Sequence, residues 1–335
     1  KELVKKPKKE DKKEDKPKKE DKPKKEDKQE DKQPKVDKNL IPPLQKLVKE
    51  PMNNNKLNII VAYRDTNDGA RLQQLKTFKQ QMELIFKDQT NYHIYIIEQE
   101  SNRKDYDKLP DPIKQEGTTM AKFNLGRLKN IGFELAAKQN KQVKNAYYVL
   151  SDVDLLPSVG LVKDYLKYPK QPIHLGNKGT RYNTDGKNKD FLGGVVSISK
   201  QDFEKANGYP NNFWGWGGED EALNKRLKSG YIKVDKPKEP VIDLETYSIK
   251  EKMAVLKKDK MKEMQKWEKL EGDESSWRTN GLSDINELYK ITGKLKLNNI
   301  THYKVFLQVD EEKEEEKEEE DVNSDSSGFN PNSDG

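Results

Sequence analysis

The sequence predicts an α/β fold in which helices flank a mostly parallel central sheet. Runs rich in β-branched and aromatic residues occur at 57–63, 92–97 and 147–150, and each has the length of a buried strand. Apolar residues at helical spacing occupy the two intervals, 71–86 and 123–137. Strand, helix, strand, helix, strand in this order requires right-handed crossovers, and therefore parallel neighbours within one sheet.

Each element has a local cause in the sequence. The first run reads Leu-Asn-Ile-Ile-Val-Ala-Tyr and follows Pro51 and three Asn, which favour a loop. The apolar faces of the two helices consist of Leu72, Leu75, Phe78 and Met82 in the first and of Leu125, Leu128, Ile131 and Leu135 in the second. A shorter helix is predicted at 221–228, closed by Gly230, and a closing strand at 301–307.

The two ends of the chain differ from its middle in composition. Residues 1–38 contain 17 Lys and 12 acidic residues in a Lys-Pro-Lys-Lys-Glu-Asp repeat, and residues 310–335 contain 2 Lys and 12 acidic residues. With so few apolar side chains these segments cannot bury a core, so we expect two disordered tails. Residues 39–309 have 46 basic and 35 acidic residues, a charge of +11, and we expect one domain there.

Composition also excludes several classes of protein. The chain has no Cys, which excludes a disulfide scaffold, a Cys-ligated zinc site and a thiol nucleophile. The absence of Cys fits a reducing compartment and favours a cytoplasmic, viral or microbial protein. No run of 18 apolar residues exists, so we expect no transmembrane segment in this chain, and an anchor upstream of Lys1 stays open. Each Lys cluster of the repeat is followed by Glu-Asp, so we expect no nucleic-acid partner.

Polar residues follow two of the predicted strands, at the point where each strand ends. Arg64 and Asp65 follow the first, and Asp152 and Asp154 follow the third. Because ligands of open α/β sheets bind outside the carboxyl ends of the strands, these side chains mark one edge of the sheet. Carboxylates at i and i+2 are hard oxygen ligands for Mg²⁺ or Mn²⁺, which in turn bind a diphosphate. A strand-end turn with a helix-capping Asp is the alternative interpretation.

The segment 207–221 is the second chemical signal. It reads Asn-Gly-Tyr-Pro-Asn-Asn-Phe-Trp-Gly-Trp-Gly-Gly-Glu-Asp-Glu and holds two of the four Trp of the chain. Gly admits positive φ and close approach of a ligand, and Trp offers a flat face on which a sugar ring can stack. Acidic residues also suit a helix start, so a structural cap is the alternative. Its glycines make the segment a candidate closing lid.

With two further segments, these motifs resemble the β-1,4-galactosyltransferases and their relatives, glycosyltransferase family 7. The similarity covers about residues 57–309 and is weaker after 231. It rests on four segments in the family's order: Phe-Asn-Leu-Gly-Arg-Leu-Lys-Asn-Ile-Gly-Phe at 123–133, Tyr-Val-Leu-Ser-Asp-Val-Asp-Leu-Leu-Pro at 148–157, Phe-Leu-Gly-Gly-Val-Val-Ser-Ile-Ser-Lys at 191–200, and 207–221. The resemblance implies a GT-A-type, Rossmann-like fold, with a nucleotide-binding half at 57–154 and an acceptor-side half with the Gly/Trp lid at 155–309.

The resemblance also implies an inverting transfer of a hexose from a UDP-sugar donor to a hydroxyl of a glycan or glycoconjugate acceptor. Asp220 corresponds to the catalytic base, with Glu219 beside it, and Asp154 corresponds to a ligand of Mn²⁺ (or Mg²⁺). The further residues that the resemblance implies are, for the donor, Arg64, Phe123, Asp152, Gly193, Gly194 and Trp216, and, for the acceptor, Trp216, Phe191 and Glu219.

The chain departs from the family at several positions. In the animal enzymes a Met and a His complete the metal site, but 240–248 contains no His here. Glu245 or Asp243 is a candidate oxygen ligand instead, which favours Mn²⁺ or Mg²⁺. Phe191 stands where animal galactosyltransferases have Tyr, and bulk at this position resembles the arrangement that disfavours an N-acetyl group, so galactose is the first choice of sugar. The family's basic residue after Phe-Asn is absent, and Arg127 is a candidate substitute.

Two functions from different classes follow. The first is a metal-dependent UDP-sugar glycosyltransferase, indicated by the four ordered segments. The second is a catalytically degenerate relative that serves as a sugar-binding or tethering protein, indicated by the missing His and the long charged ends.

Overall fold

The computed structural model describes residues 55–65, 69–188, 191–245, 247–248, 250–251, 254 and 263–309. A six-stranded sheet in the order β5-β3-β1-β2-β8-β7 forms its centre, and β4 pairs with β6 beside it. The strands are β1 (Lys56–Tyr63), β2 (Tyr92–Gln99), β3 (Ala146–Asp152), β4 (Leu155–Pro157), β5 (Val195–Ser199), β6 (Val241–Asp243), β7 (Tyr289–Leu297) and β8 (Ile300–Leu307). The helices are α1 (Ala70–Ile85), α2 (Leu125–Gln139), α3 (Val162–Leu166), α4 (Lys200–Lys205), α5 (Glu219–Ser229) and α6 (Glu263–Ser276).

The sheet is mostly parallel, as the sequence predicts. β1 pairs in parallel with β2 and β3, and β2 pairs in parallel with β8. The two edge strands, β5 and β7, are antiparallel to their neighbours. The predicted strands at 57–63, 92–97 and 147–150 and the two long helices are confirmed, with ends displaced by only a few residues.

Two helix starts differ from the sequence prediction, each for a local reason. α2 begins at Leu125 because the Asn124 side chain accepts a hydrogen bond from the Arg127 amide at 3.0 Å, which caps the helix. α5 begins at Glu219, two residues earlier than predicted, because Gly218 adopts a left-handed conformation (φ 98°) and turns the chain into the helix. Both Glu219 and Asp220 therefore lie in the first turn of a helix.

The two faces of the sheet carry separate cores. Strand residues of alternating parity point to opposite faces, so Ile60, Tyr148 and Leu150 pack on the α2 side. Ile59 and Val149 pack on the α1 side. This alternation continues to the end of β3 and places Asp152 on the α2 face.

The sheet joins the two halves that the sequence suggested. β8 lies between β2 and β7, so a strand from the predicted acceptor-side half completes the sheet of the nucleotide-binding half. Both halves therefore share one sheet. The tails predicted at 1–38 and 310–335 lie outside the described residues.

Candidate active site

The carboxyl ends of β1 and β3 meet at one edge of the sheet. Ala62 is in register with Asp152, so Arg64 and Asp152 both leave the sheet there. The amide of Asp152 donates to the carbonyl of Gly194 at 3.0 Å, which brings the start of β5 to the same place. The structure thus brings together the Asp-Val-Asp turn and the Gly-Gly pair, which are about forty residues apart in sequence.

Asp154 and Glu245 converge on one cation, the guanidinium of Arg71. Arg71 Nη1 lies 2.8 Å from Asp154 Oδ2, and Nη2 lies 2.9 Å from Glu245 Oε2. The amide of Leu244 donates to the Asp154 carbonyl at 2.8 Å, which fixes the two acidic segments side by side. Arg71 is the second residue of helix α1, and no sequence motif indicates its part in the site.

The carboxylates of Asp154 and Glu245 are the residues here that could hold a divalent cation. Two carboxylates that already share one positive group supply hard oxygen donors, which suit Mn²⁺ or Mg²⁺. In the described part of the chain no third His, Cys, Asp or Glu joins them as a potential ligand group. Asp154 and Glu245 would therefore hold such a cation, each through one carboxylate.

Asp243, the other candidate ligand, is engaged elsewhere. Its carboxylate forms a two-point pair with Arg181, at 3.1 Å to Nε and 2.6 Å to Nη2. A carboxylate held by a guanidinium fork on both oxygens has little capacity left for a metal. The geometry favours Glu245 over Asp243 as the partner of Asp154.

Asp220 lies at the start of α5 beside the Gly-Gly pair. One carboxylate oxygen, Oδ1, is buried and has no hydrogen-bond partner among the described residues. The other is so close to Gly193 that an added Cβ there would lie 2.7 Å from Oδ2 and 2.6 Å from the Phe191 ring. Gly193 thus leaves the space beside it that the Asp220 carboxylate and the Phe191 ring occupy.

Burial governs the ionisation of the acidic pair. Desolvation raises the pKa of Asp220 well above its usual value, and the neighbouring Glu219 carboxylate raises it further. Burial likewise raises the pKa of Glu219. A carboxylate with a raised pKa and an unpartnered buried oxygen is suited to accept a proton from a substrate hydroxyl.

Three aromatic side chains, Phe191, Tyr182 and Trp216, form a wall of which Phe191 is the member beside Asp220. The ring of Tyr182 lies 6.2 Å from that of Trp216 and 6.4 Å from that of Phe191. Trp216 is 38% exposed, so its indole remains available to a ligand. His174 packs on Phe191 at 5.4 Å and contacts the Gly193 carbonyl through Nε2 at 2.9 Å. Tyr182 lies in a loop without periodic pattern, and sequence reasoning missed it.

Arg64 and Phe123, the two residues expected to hold the nucleotide, are also together. The Arg64 guanidinium lies 5.4 Å from the centre of the Phe123 ring. Its position is fixed by donation to the Ala121 carbonyl at 2.6 Å and to Gln115 Oε1 at 2.9 Å. An ordered guanidinium beside a flat ring provides charge and stacking surface for a nucleotide.

Arg127 has a different environment from the one expected. It is buried, it stacks on Trp214 at 5.0 Å, and it donates to the carbonyls of Asn211 (2.9 Å) and Gln308 (2.5 Å). These contacts anchor the Gly/Trp segment from behind. In this structure Arg127 supports the Gly/Trp segment, and its role as a substitute for the family's basic residue stays a prediction.

A family model and several known proteins match parts of this chain. Residues 173–251 match a family model described as the N-terminal domain of galactosyltransferase. Over 206 residues, 60% of this chain, the sequence is 31% identical to β-1,4-galactosyltransferase 4 of Mus musculus, of which the match covers 50%. It is also 34% identical to β-1,4-galactosyltransferase 1 of Homo sapiens, over 44% of this chain and 35% of the relative.

The chain is similar to the β-1,4-galactosyltransferases. This confirms the resemblance to glycosyltransferase family 7 that the four sequence segments indicated. The galactosyltransferase-like chain spans about half the length of the curated relatives it matches.

Solved structures confirm the GT-A-type fold of this galactosyltransferase-like chain. The catalytic domain of Drosophila β1,4-galactosyltransferase 7, in complex with xylobiose, superimposes with a TM-score of 0.54 at 22% identity. The match covers 76% of this chain and 95% of the Drosophila domain. A mutant of the same enzyme, solved with manganese, UDP-Gal and xylobiose, matches equally well. Within the described residues, no helix is long and apolar enough to cross a membrane.

Proposed function

We propose that this galactosyltransferase-like chain transfers a hexose, galactose first, from a UDP-sugar to a hydroxyl of a glycan or glycoconjugate acceptor, with inversion. The observation that carries the proposal is the buried, unpartnered oxygen of Asp220, beside an aromatic wall and on the same edge of the sheet as Asp154. The Drosophila neighbour, which binds manganese, UDP-Gal and xylobiose, supports the same ligand classes.

Each part of the site has a place in the reaction. Arg64 and Phe123 hold the uridine diphosphate, and Asp154 with Glu245 would hold Mn²⁺ or Mg²⁺. When bound, such a cation supplies Lewis-acid neutralisation of the charge that grows on the departing diphosphate. Gly193 and Gly194 have no side chains, so the donor can approach the backbone closely there.

Inversion requires attack from the face opposite to the leaving group. Asp220 takes the proton of the acceptor hydroxyl as the oxygen attacks the anomeric carbon and the bond from that carbon to the diphosphate breaks. Glu219 and the exposed face of Trp216 position the sugars. The aromatic Phe191 next to Asp220 favours a compact 2-hydroxyl over an N-acetyl group.

Purified protein with Mn²⁺, a panel of UDP-sugars and glycan acceptors should release UDP, most rapidly with UDP-galactose. Asp220→Asn should reduce kcat at least about 100-fold because it removes the general base, while donor affinity by calorimetry stays close to wild type. Glu274→Gln is the matched control, because this acid on α6 is 62% exposed and pairs with Lys225 at the surface. No UDP release with any sugar, together with no UDP binding, would refute the proposal.

One observation favours the second candidate, a degenerate sugar-binding or tethering relative. Arg71 already neutralises both metal-site carboxylates. If this pair is permanent, UDP will bind with the same affinity in EDTA and in Mn²⁺, and no turnover will be found. Donor binding that EDTA weakens by tenfold or more excludes this candidate.

A further inference from the structure

A lysine is buried in the middle of helix α2, where it faces the active site. The side chain of Lys129 is 1% exposed. Its Nζ lies 2.9 Å from Asp152 Oδ1 and 5.4 Å from the centre of the Tyr209 ring. An ammonium group without water is costly unless paired, so its partners decide why it is there.

The partners of Lys129 are all groups of the site. Burial alone would lower the pKa of its ammonium, but the carboxylates of Asp152 and Asp220 and the Tyr209 hydroxyl outweigh burial and raise it. Lys129 is therefore a permanent positive charge, not a proton donor. Lys129 reaches Asp152 from helix α2, on one face of the sheet. Arg71 reaches Asp154 from helix α1, on the other face.

The charges around Asp220 are otherwise negative. Glu219 and Glu221 face it from its own helix, and Asp152 faces it from β3. The Tyr209 hydroxyl, from the preceding segment, is neutral because burial raises its pKa. Lys129, from α2, is the cation that acts on it, and Lys269, from α6, acts on Glu219. Without Lys129, the carboxylates of Asp152, Glu219 and Asp220 would have to share one largely buried region.

We propose that Lys129 is a positioning residue of the transfer reaction, an internal counter-ion that fixes Asp152 at the edge of the sheet and keeps Asp220 available as an ionised base. The proposal rests on the proposed function for its kinetic part alone. Its electrostatic part, that Lys129 sets the ionisation of Asp220, holds for the protein without substrate.

Lys129→Met removes the charge and keeps most of the volume, whereas Lys129→Arg keeps the charge. We expect Lys129→Met to lower kcat at pH 7 at least tenfold, to change the KM for the UDP-sugar much less, and to recover activity as the pH rises. The acid limb of the pH–rate profile should move up by about one unit or more. Lys129→Arg should keep the wild-type profile. Lys138→Met, an exposed position on the same helix, is the control and should match wild type in all readouts.

A structural role would give a different result. Equal loss of activity in the Met and Arg variants, with an unshifted pH profile in both, would overturn the proposal, since packing and not charge would then be responsible. If Lys129→Met does not fold, Lys129→Gln takes its place, because the amide removes the charge but can still donate a hydrogen bond to Asp152. Lys129→Gln is expected to show a shifted acid limb as well, and an unshifted one counts against us.

Failure of the proposed function is detected separately. If the wild type transfers no sugar, the carboxyl carbon of Asp220 can still be titrated by ¹³C NMR, with Asp220→Asn to assign the signal. Its midpoint should rise by about one pH unit or more in Lys129→Met relative to wild type and stay in place in Lys138→Met. An unchanged midpoint refutes the role of Lys129 whatever the enzyme does.

Discussion

At the scale of single residues, most carboxylates of the site are paired with a buried or partly buried cationic side chain. Asp154 and Glu245 share Arg71, Asp152 pairs with Lys129, and Asp243 pairs with Arg181. Asp220 has a buried oxygen with no such partner among the described residues. This difference singles out Asp220 as the carboxylate left available for a proton.

The pairing of Asp154 and Glu245 gives a prediction about the metal. Asp154→Asn should abolish detectable Mn²⁺ binding, and Glu245→Ala should weaken it about 10-fold or more, since each removes one of two charged oxygen donors. Electron paramagnetic resonance of free Mn²⁺ measures this without turnover. Glu251→Gln, an exposed acid of the same segment, should have no effect. Unaltered Mn²⁺ affinity in Glu245→Ala would remove Glu245 from the site.

The raised pKa of Asp220 predicts the pH dependence of transfer. The base works only when ionised, and burial together with Glu219 favours its protonated form. Activity should therefore be full at alkaline pH and decline as the pH falls through a pKa higher than that of an ordinary Asp. The pH profile of kcat with saturating Mn²⁺ and donor checks this. An acid limb at or below about pH 4 would mean that Asp220 is not desolvated in the working enzyme.

At the scale of elements, a buried ion pair joins helix α5 to helix α6. Arg226 donates to Asp273 of α6 at 3.1 and 2.5 Å and also to three backbone carbonyls of the 207–208 and 280 segments. Both side chains of the pair are at most 4% exposed. Since α5 carries Glu219 and Asp220, this contact supports the catalytic turn.

Removal of that pair should be costly, whereas removal of its exposed neighbour should not. Arg226→Met leaves Asp273 buried and unpaired, so we expect unfolding to become easier by about 3–5 kcal/mol. Lys225→Met, whose partner Glu274 is 62% exposed, should change stability by less than about 1 kcal/mol. Urea denaturation followed by circular dichroism gives both values. Similar losses in the two variants would contradict the structural role given to Arg226.

The elements also show what periodicity can and cannot predict. The strands β1 to β3 were predictable because each is an apolar run of strand length that is buried on both faces. Helices α1 and α2 were predictable because their apolar residues recur at helical spacing. The position of β8 between β2 and β7 was not, because strand pairing is decided by long-range contacts that no local pattern encodes.

The functional residues were likewise predictable only where they belong to a sequence motif. Asp152, Asp154, Glu219 and Asp220 stand in recognisable motifs. In the structure Asp152 interacts electrostatically both with Asp220 and with Arg71, the partner of Asp154. Lys129 and Arg71 were missed, because a basic residue in a helix is ordinarily assigned to the solvent-facing side. Only the fold turns these two side chains inward.

At the scale of the whole molecule, the two cores flank a single sheet, and every buried member of them lies between Leu57 and Leu307. The acceptor-side segments are joined to the nucleotide side by β8 and by the contact of Asp152 with Gly194. The molecule is therefore expected to fold and bind donor as one cooperative unit, not as two halves that can be separated at residue 154.

This expectation can be tested by trimming the chain. A 43–309 fragment keeps both cores and every site residue named above, so its melting temperature should lie within about 2 °C of the full chain, and its UDP affinity in Mn²⁺ should be the same at 0.5 M salt. At low salt the fragment should bind the anionic donor more tightly, since the loss of 1–42 (+5) and 310–335 (−10) raises the net charge from +6 to +11. A fragment that ends at residue 154 should not fold, because it lacks β5, β7 and β8 of the six-stranded sheet. Differential scanning calorimetry should give one transition for the full chain, and two resolved transitions would show that the halves are independent after all.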